Sequence, residues 1–360
     1  MLNRRSFLKL LAQTMAGFSL PSALTAAHPG TQAIPRHPHD VGLAGRHAKV
    51  IDVHAHCVVP QVADVLKDTN LARFAPQPRS PQVLGPDRVH TLDDRGIDTQ
   101  VLSINAFWWY AADRDLAAKI VNVHDEKLAA WCRDHSGRFA AFTSVALQYP
   151  DLAAEQLEDA VKNLGACGAA VGGHVAGEPL SSPRFDPFWA KAEQLGALVF
   201  MHPNSAENIV NEDAWKGHGD LGNIVGNPLE TTVFLSHMIF DGTLDRFPGL
   251  KICAAHGGGY LPSYLGRTEV ACDIRPNADC QNKKHPSEYF KTQLMVDSMV
   301  FSEEGLRHLV AEVGPNQVVY GTDIPFKWPD TMDLIADASF LSASEKEAIL
   351  GGTLTKLLKV

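Results

Sequence analysis

Histidine and aspartate residues in four separate segments have the types and spacing of a metal site. His54 and His56 lie two residues apart in a short apolar run, and in a strand this spacing points both imidazoles to the same face. His202, His256 and Asp323 each end another apolar run. Imidazole and carboxylate groups are ligands that zinc, manganese and iron accept, and three or four of them leave a position open for water or substrate. A lone H-x-H pair also occurs among surface or core histidines, so the prediction of a metal site depends on all four segments.

A divalent ion held in this way supports acid–base chemistry near neutral pH. The ion can lower the pKa of a bound water to about 7, and Asp323 can accept a hydrogen bond from that water. His256 can donate or accept a proton because an unperturbed imidazole titrates near about 6.5. Alternatively, His256 is a fifth ligand or a hydrogen-bonded core histidine. The three glycines after it, 257–259, either let the backbone approach a ligand closely or form a plain strand-to-helix turn.

The elements that carry these residues alternate between strand and helix patterns. Short β-branched and apolar runs predict eight strands, and an apolar spacing of three to four residues predicts helices between them. The predicted strands are 50–56, 99–105, 139–145, 169–173, 198–202, 251–256, 294–297 and 318–323, and the predicted helices are 113–135, 152–164, 185–195, 229–240, 261–274 and 303–313. Such alternation is typical of a parallel α/β fold.

Polar residues at the C-terminal ends of the predicted strands favour one topology within that class. Strand ends surround a common axis in a closed barrel, whereas an open sheet binds its ligands at one switch point. No G-x-G-x-x-G follows the first strand and no Walker loop is found, so a nucleotide-binding fold lacks its main support. The sequence therefore predicts an α/β fold of the (β/α)₈ TIM barrel type over residues 49–360, a length that one barrel domain can occupy.

Composition and charge narrow the class of partner. Of the 360 residues, 45% are hydrophobic, so the chain can bury one large core. The formal net charge is −9, and no basic block follows residue 9. These properties argue against nucleic acid or an anionic membrane as the main partner and favour a small molecule.

The first 27 residues have the pattern of a twin-arginine export signal. Arg4 and Arg5 stand in N-R-R-S-F-L-K, a moderately apolar run covers 10–20, and small residues follow at 23–27. The alternative is an amphipathic anchor helix, but the run is shorter than the ~20 residues that a membrane span needs. Residues 28–48 are rich in proline, glycine and histidine and predict a tail on the surface. We therefore expect a periplasmic protein with no membrane partner after signal cleavage.

The six cysteines are irregularly spaced and form no C-x-x-C motif. This spacing indicates neither a zinc ribbon nor a disulfide framework, and most of the cysteines are expected to be buried as small apolar residues. Cys272 and Cys280 share a polar segment and could pair in an oxidising periplasm.

Several motifs together make the chain resemble the amidohydrolase superfamily, in the branch of aminocarboxymuconate-semialdehyde decarboxylase and related nonoxidative decarboxylases. The resemblance covers nearly the whole mature chain. It rests on D-V-H-A-H at 52–56, V-G-N-P-L-E-T-T at 225–232, F-P-G-L-K-I at 247–252, A-H-G-G-G at 255–259, G-R at 266–267 and G-T-D-I-P-F at 321–326.

The resemblance implies a mononuclear site. One divalent ion, usually zinc, with manganese and iron as alternatives, is held by His54, His56, His202 and Asp323, and His256 handles the proton. The bridging carboxylated lysine of two-metal members has no counterpart, because the fourth strand ends in G-G-H at 172–174.

The resemblance also indicates substrate-binding residues. Arg267 matches an arginine that binds a substrate carboxylate in related decarboxylases, sometimes from the neighbouring subunit, which implies a small carboxylic acid as partner and allows a homodimer. A surface salt bridge is the alternative for Arg267. Arg73 and Arg79 are candidates for a second such arginine, and Arg79 is preferred. Trp108, in F-W-W-Y at 107–110, either covers the site as part of an aromatic lid or packs between its loop and the next helix.

Three functions are compatible with these residues. We expect a metal-dependent nonoxidative decarboxylase of a small unsaturated or aromatic carboxylic acid, an interpretation that rests mainly on the resemblance. A hydrolase of a lactone or amide would use the same ligands, but Arg267 and the H-G-G-G segment favour the decarboxylase. A periplasmic binding protein without turnover is disfavoured, because a pure binder needs no open coordination position beside an acid–base histidine. Asn223 stands where the semialdehyde decarboxylases carry a tryptophan, so the resemblance does not extend to that substrate.

Overall fold

The computed structural model describes residues 41–43 and 45–360. The predicted signal, 1–27, and the first part of the predicted tail, 28–40, lie outside the described residues. The end of the tail packs onto the domain: Gly42–Leu43 and Arg46–His47 pair antiparallel, and the flanking Val41 and Ala48 are buried. The packed domain therefore begins before the predicted boundary at Lys49.

Eight parallel strands form the centre of the fold, and each pairs with its neighbours in chain order. They are β1 (Ile51–His56), β2 (Thr99–Ser103), β3 (Phe139–Thr143), β4 (Gly168–Val171), β5 (Leu198–Met201), β6 (Lys251–Ala254), β7 (Leu294–Asp297) and β8 (Val318–Val319). Only Lys251 among these residues is not fully buried, as expected for strands that are covered on both faces.

The residues after β8 close the sheet onto β1. A parallel bridge pairs Ala55 with Ile324, and the backbone N–H of Asp323 donates to the carbonyl of His54 at 2.7 Å. The N–H of His56 donates to the carbonyl of Ile324, also at 2.7 Å. These contacts confirm the predicted (β/α)₈ TIM barrel and bring the predicted ligands of the first and last strands next to each other.

Helices follow the strands and cover the barrel. They are α1 (Val62–Leu66), α2 (Pro86–Arg95), α3 (Arg114–Asp134), α4 (Pro150–Asp159), α5 (Asp186–Leu195), α6 (Asn227–Phe240), α7 (Thr243–Arg246), α8 (Leu265–Ile274), α9 (Pro286–Phe290), α10 (Glu303–Val313), α11 (Met332–Ala336), α12 (Ala343–Glu347) and α13 (Thr353–Leu358). Side-chain caps begin α3 and α10, among others: Asp113 accepts from the N–H of Leu116, and Ser302 accepts from the N–H of Gly305. The sequence patterns missed α2 between β1 and β2 and found the other long helices within a few residues.

Most predicted strands continue too far at their C-terminal ends. The prediction for β8 runs to Asp323, but the sheet ends at Val319, and the prediction for β5 includes His202, one residue past Met201. The apolar sequence pattern extends past the observed strand ends because the residues there are still buried. The regular strand ladder ends before them, but single backbone hydrogen bonds to the neighbouring strand continue, as from the N–H of His202 to the carbonyl of Val171 at 2.9 Å.

The glycines after His256 pack against protein. Gly257, Gly258 and Gly259 have φ angles of 63°, 76° and 68°, a region that favours glycine. A Cβ on Gly259 would lie 2.2 Å from the carbonyl oxygen of Pro228. The segment is thus a tight turn pressed against the start of α6, which supports the plain-turn interpretation. Within residues 41–43 and 45–360, no helix is long and apolar enough to span a membrane.

Candidate metal centre

The four predicted ligands converge at the C-terminal mouth of the barrel. His54, His56, His202 and Asp323 each offer one ligand atom, and these atoms all lie within 4.8 Å of one another. The side chains of His54 and His56 are fully buried, and that of Asp323 is 6% exposed. The four come from β1, the end of β5 and the segment after β8, so the closed barrel is what assembles them.

The two histidines of β1 are oriented through their Nδ1 atoms. Nδ1 of His54 lies 2.6 Å from Oδ2 of Asp297, and Nδ1 of His56 lies 3.0 Å from the hydroxyl of Ser103. The Nε2 atoms of the two rings face each other at 3.1 Å. Partners of this kind on Nδ1 are typical of metal-binding histidines, because they turn the Nε2 lone pair toward the ion.

Three other polar atoms of the cluster have no hydrogen-bond partner among the described residues. Both ring nitrogens of His202 and Oδ1 of Asp323 are buried, and none forms a hydrogen bond to another described residue. Oδ1 of Asp323 lies 3.3 Å from Nε2 of His54 and 3.0 Å from Nε2 of His56. Buried groups without partners are costly, and a cation among three imidazoles and a carboxylate would satisfy Oδ1 of Asp323 and one nitrogen of His202 together. The donor set therefore fits one divalent ion.

Charge and burial shift the acid–base equilibria of the cluster when no cation is bound. Burial by itself lowers the pKa of His54, but the charge of Asp323 and the hydrogen bond to Asp297 raise it to about 10. Burial lowers the pKa of His56 to about 4 and lowers that of His202 well below its usual value. Burial by itself raises the pKa of Asp323, but the charge of His54 and the nearby imidazoles of His256, His54 and His56 hold it well below its usual range. The carboxylate is thus ionised and ready to bind a cation.

His256 stands at the edge of this cluster. Its Nε2 lies 3.9 Å from Oδ2 of Asp323, and its ring is 5.1 Å from the rings of both His54 and His202, measured between centroids. Its side chain is 15% exposed, more than the side chains of the four ligands. This position suits a residue that exchanges protons with both solvent and a bound molecule.

The backbones of His256 and Asp323 adopt a conformation that is uncommon outside glycine. Their φ angles are 56° and 60°, in the left-handed region that non-glycine residues rarely occupy. Residues held in this way often cluster at functional sites. Here the two residues follow β6 and β8 and lie beside the candidate metal ligands.

A buried aspartate before the ligands was missed as a site residue. Asp52 accepts hydrogen bonds from the side chains of Gln100, at 2.8 Å, and Thr322, at 2.7 Å, and also from the N–H groups of His54 and Thr322. Burial raises its pKa to about 6 against the effect of these hydrogen bonds. Its position in the D-V-H-A-H motif could have indicated a role in the site. Its partners Gln100 and Thr322 are distant in the chain, so local sequence does not show these contacts.

Two residues of α6 hold the loop that follows β5. The carboxylate of Glu230 accepts from the backbone N–H groups of Gly173, at 3.0 Å, and of Asn204 and Ala206, each at 2.8 Å. The side chain of Asn227 accepts from the N–H of Ser205 at 2.7 Å. The N-P-L-E motif at 227–230 therefore acts on the backbone next to His202 and not on the cluster itself.

The Amidohydrolase family profile matches residues 51–360, which is nearly the entire described barrel. The chain belongs to the amidohydrolase family. This confirms the resemblance that the motifs indicated.

Two curated relatives of this amidohydrolase are decarboxylases. A 2-amino-3-carboxymuconate-6-semialdehyde decarboxylase of Dictyostelium discoideum is 33% identical over 278 residues, which are 76% of this chain and 76% of the relative. A gamma-resorcylate decarboxylase of Rhodococcus jostii (strain RHA1) is 32% identical over 257 residues, 67% of this chain and 77% of the relative. Among solved structures, a dihydroxybenzoic acid decarboxylase from Polaromonas sp. JS666 with bound manganese and the inhibitor 2-nitroresorcinol has a TM-score of 0.73 and 26% sequence identity, covering 86% of this chain and 97% of that chain.

The two predicted arginines of this amidohydrolase are exposed. Arg267 lies in the first turn of α8, and Arg79 lies in the connection between α1 and α2. Neither forms an ion pair with another described residue, so the surface salt bridge considered for Arg267 is not observed. The structure brings neither guanidinium into contact with the metal cluster. Their roles in substrate binding remain predictions.

Trp108 is packed inside the amidohydrolase domain. Its side chain is buried, stacks on Phe74 at a centroid distance of 5.8 Å, and meets the ring of His124 edge-on at 6.1 Å. Two neighbours in the same loop contact the end of β4: a Cβ on Gly172 would lie 3.1 Å from the ring of Phe107, and the hydroxyl of Tyr110 accepts from the N–H of that glycine at 3.5 Å. Trp108 thus has the packing role that was one of its two interpretations, and its contact with substrate stays a prediction.

Proposed function

We propose that this amidohydrolase is a metal-dependent nonoxidative decarboxylase of a small aromatic or unsaturated carboxylic acid. The observation that carries the proposal is the convergence of ligand atoms from His54, His56, His202 and Asp323 within 4.8 Å of one another, with Nε2 of His256 3.9 Å from the carboxylate of Asp323. The decarboxylases among the curated relatives support the reaction class.

The chain's own residues account for the proton that replaces carbon dioxide. The carbon–carbon bond to the carboxylate breaks, its electron pair stays on the substrate carbon, and a proton is added to that carbon. His256 is positioned to deliver this proton as a general acid and to recover one from solvent through its exposed edge.

A divalent ion, when bound, supplies Lewis-acid stabilisation of negative charge on substrate oxygens. His54, His56, His202 and Asp323 would hold it. Three imidazoles favour zinc, which is the ion that we propose. The manganese in the Polaromonas structure supports testing manganese beside it. Metal analysis of protein purified without added metal identifies the resident ion.

Arg267 completes the proposal as the group that binds a second anionic part of the substrate, in the same chain or in a second copy. Exposed apolar side chains surround it: Tyr264 is 62% exposed, Val270 45% and Ile274 67%. Such a patch is typical of an interaction surface. A homodimer through α8 follows, and sedimentation of the protein and of Ile274→Asp tests it. A wild-type monomer at all concentrations would contradict the homodimer.

The reaction is tested with metal-loaded protein and two substrate panels. Aromatic carboxylic acids, including 2,6-dihydroxybenzoate, are incubated in D₂O, and lactones are incubated separately. We expect carbon dioxide release and one deuterium at the carbon that carried the carboxylate. Ring opening of lactones without carbon dioxide release from any acid would overturn the proposal in favour of a hydrolase.

Export to the periplasm by the twin-arginine route is a further part of the proposal. The N-R-R-S-F-L-K segment supports it, as does the disulfide between Cys272 and Cys280, since disulfides persist mainly in oxidising compartments. Replacing Arg4 and Arg5 with lysine should retain active enzyme in the cytoplasm, because a receptor reads the signal. Unchanged accumulation in the periplasmic fraction would contradict this route.

A further inference from the structure

Asp297, the last residue of β7, joins the metal cluster to the loop that carries His256. Its Oδ2 lies 2.6 Å from Nδ1 of His54 and accepts from the backbone N–H of His256 at 2.9 Å. Its Oδ1 accepts from the N–H groups of Gly257, at 2.7 Å, and Met299, at 3.1 Å. The side chain is fully buried. One carboxylate therefore faces a metal-binding ring and a backbone turn at the same time.

The hydrogen-bond partners of Asp297 determine which ring nitrogen of His54 carries a hydrogen. Three of the four are backbone N–H groups, which act only as donors, and an ionised carboxylate acts only as an acceptor. Nδ1 of His54 must then carry a hydrogen to bond with Oδ2. In the neutral ring this leaves the lone pair on Nε2, the atom that lies 3.1 Å from Nε2 of His56.

We infer that Asp297 is a positioning residue that holds His54 in the metal-binding tautomer and fixes the backbone of His256 through the same oxygen. The inference rests on the proposed metal site and adds a coupling within it. Metal affinity and the geometry of the acid–base loop depend on one side chain. A change at Asp297 therefore affects both, although Asp297 itself touches neither the ion nor the substrate.

The absence of a side chain at Gly321 leaves room for the contact between His54 and Asp297. Gly321, which follows β8, packs against both side chains: a Cβ there would lie 2.9 Å from Cβ of His54 and 3.0 Å from Cβ of Asp297. Real Cβ atoms do not approach so closely without displacement of their neighbours. Glycine at 321 thus permits a short hydrogen bond that any side chain would disturb.

Asp297→Asn is the direct test, because it preserves volume and changes the pattern of donors. If the new NH₂ group takes the place of Oδ2, it donates to Nδ1 of His54, moves the ring hydrogen to Nε2, and leaves the N–H of His256 without an acceptor. If it takes the place of Oδ1, the N–H groups of Gly257 and Met299 lose theirs. In neither orientation can the asparagine form all four hydrogen bonds that the aspartate forms.

The expected result is a zinc affinity lower by about 10- to 100-fold, the usual effect of losing such a partner, measured by chelator competition on folded protein. Hydrogen exchange at the amides of residues 256 and 257 should become faster in the same variant. Asp125→Asn is the matched control: Asp125 is also a buried aspartate, but it lies on α3 and contacts Thr143 and Ser144. The control should bind zinc like the wild type.

Two further measurements cover the case in which Asp297→Asn fails to fold. Gly321→Ala retains every hydrogen-bonding group and should also weaken zinc binding by separating His54 from Asp297. In zinc-loaded wild-type protein labelled with ¹⁵N, the Nδ1 hydrogen of His54 should be shifted downfield and exchange slowly.

The outcomes separate this inference from the proposed function. If wild-type protein binds no divalent ion, the proposed metal site fails. If wild-type protein binds zinc and Asp297→Asn binds it equally well with unchanged amide exchange, only the inference about Asp297 is overturned. A hydrogen on Nε2 of His54 in the zinc-loaded wild type would overturn it as well.

Discussion

The carboxylate of Asp52 accepts a hydrogen bond of 2.7 Å from the hydroxyl of Thr322, a residue 270 positions later in the chain. Asp52 lies in β1 two residues before His54, and Thr322 directly precedes Asp323. The same carboxylate also accepts from the backbone N–H of Thr322 at 3.1 Å. This pair therefore sets the distance between the ligands of the first strand and the carboxylate ligand that follows the last strand.

Removing the Thr322 hydroxyl should destabilise the protein and weaken metal binding together. Thr322→Val preserves volume but takes a hydrogen bond from a buried charged group, which costs about 1.5–3 kcal/mol of unfolding free energy. Urea unfolding of metal-free protein and zinc titration measure the two effects. Thr355→Val is the matched control, because the Thr355 hydroxyl is buried without a hydrogen-bond partner among the described residues. Equal behaviour of the two variants would show that the contact between Asp52 and Thr322 does not position the site.

Purified protein should contain about one divalent ion per chain, and His54→Ala combined with His56→Ala should remove it. Ligand binding stabilises the folded state by about 2.7 kcal/mol when the free ion is at 100 times its dissociation constant, so the variant should also lose the increase in Tm that added metal gives the wild type. Metal analysis and thermal unfolding with and without zinc check this. The pair His237→Ala and His308→Ala, on the surface of α6 and α10, serves as control. Two ions per chain would contradict a mononuclear site.

His256→Asn separates an acid–base residue from a ligand. If His256 transfers the proton, kcat should fall by about 10²-fold or more while metal content stays at the wild-type level. Steady-state kinetics and metal analysis of the same preparation give both values. A parallel loss of metal and activity, with partial recovery in excess zinc, would instead make His256 a ligand.

Arg267→Ala should raise KM for a carboxylate substrate and leave metal content and Tm unchanged. Arg267 is exposed and has no ion pair among residues 41–43 and 45–360, so its removal takes no stabilising contact from the monomer. Arg275→Ala, at the other end of α8 and also exposed, is the control. Kinetics identical to those of the control on every accepted acid would exclude a role of Arg267 in substrate binding.

Asp125→Asn should stabilise the protein at neutral pH. Burial raises the pKa of Asp125 from 3.8 to about 7, so between these values the folded state retains a proton that the unfolded state releases. The contribution of this group to stability is therefore lost as pH rises from about 4 to 7, by at most about 4 kcal/mol. Urea unfolding at pH 4, 5.5 and 7.5 should show that the unfolding free energy of the variant, relative to that of the wild type, increases as pH rises. A difference that is independent of pH would show that Asp125 titrates normally in the folded state.

The amino-acid sequence by itself indicated the fold class and the candidate residues of the cluster, and the resemblance to the amidohydrolase superfamily selected four of them as ligands. Strand and helix periodicity are local properties, and a strand period of two is enough to place His54 and His56 on one face. The positions of His202 and Asp323 at the ends of apolar runs indicated the same end of a barrel. The helix α2 was missed because its segment, 86–95, contains several charged residues and few apolar ones.

Tertiary structure alone decided which groups orient these ligands. Asp297 is 243 residues from His54, and Ser103 is 47 residues from His56, so no local pattern links them. The register between neighbouring strands, together with the closure of β8 onto β1, brings each of these histidines next to its partner. Packing likewise decided the position of Trp108, whose aromatic loop has the same composition whether it covers the mouth or lies against Phe74. Such choices depend on the shape of the space that distant segments leave, and a single sequence does not contain that information in local form.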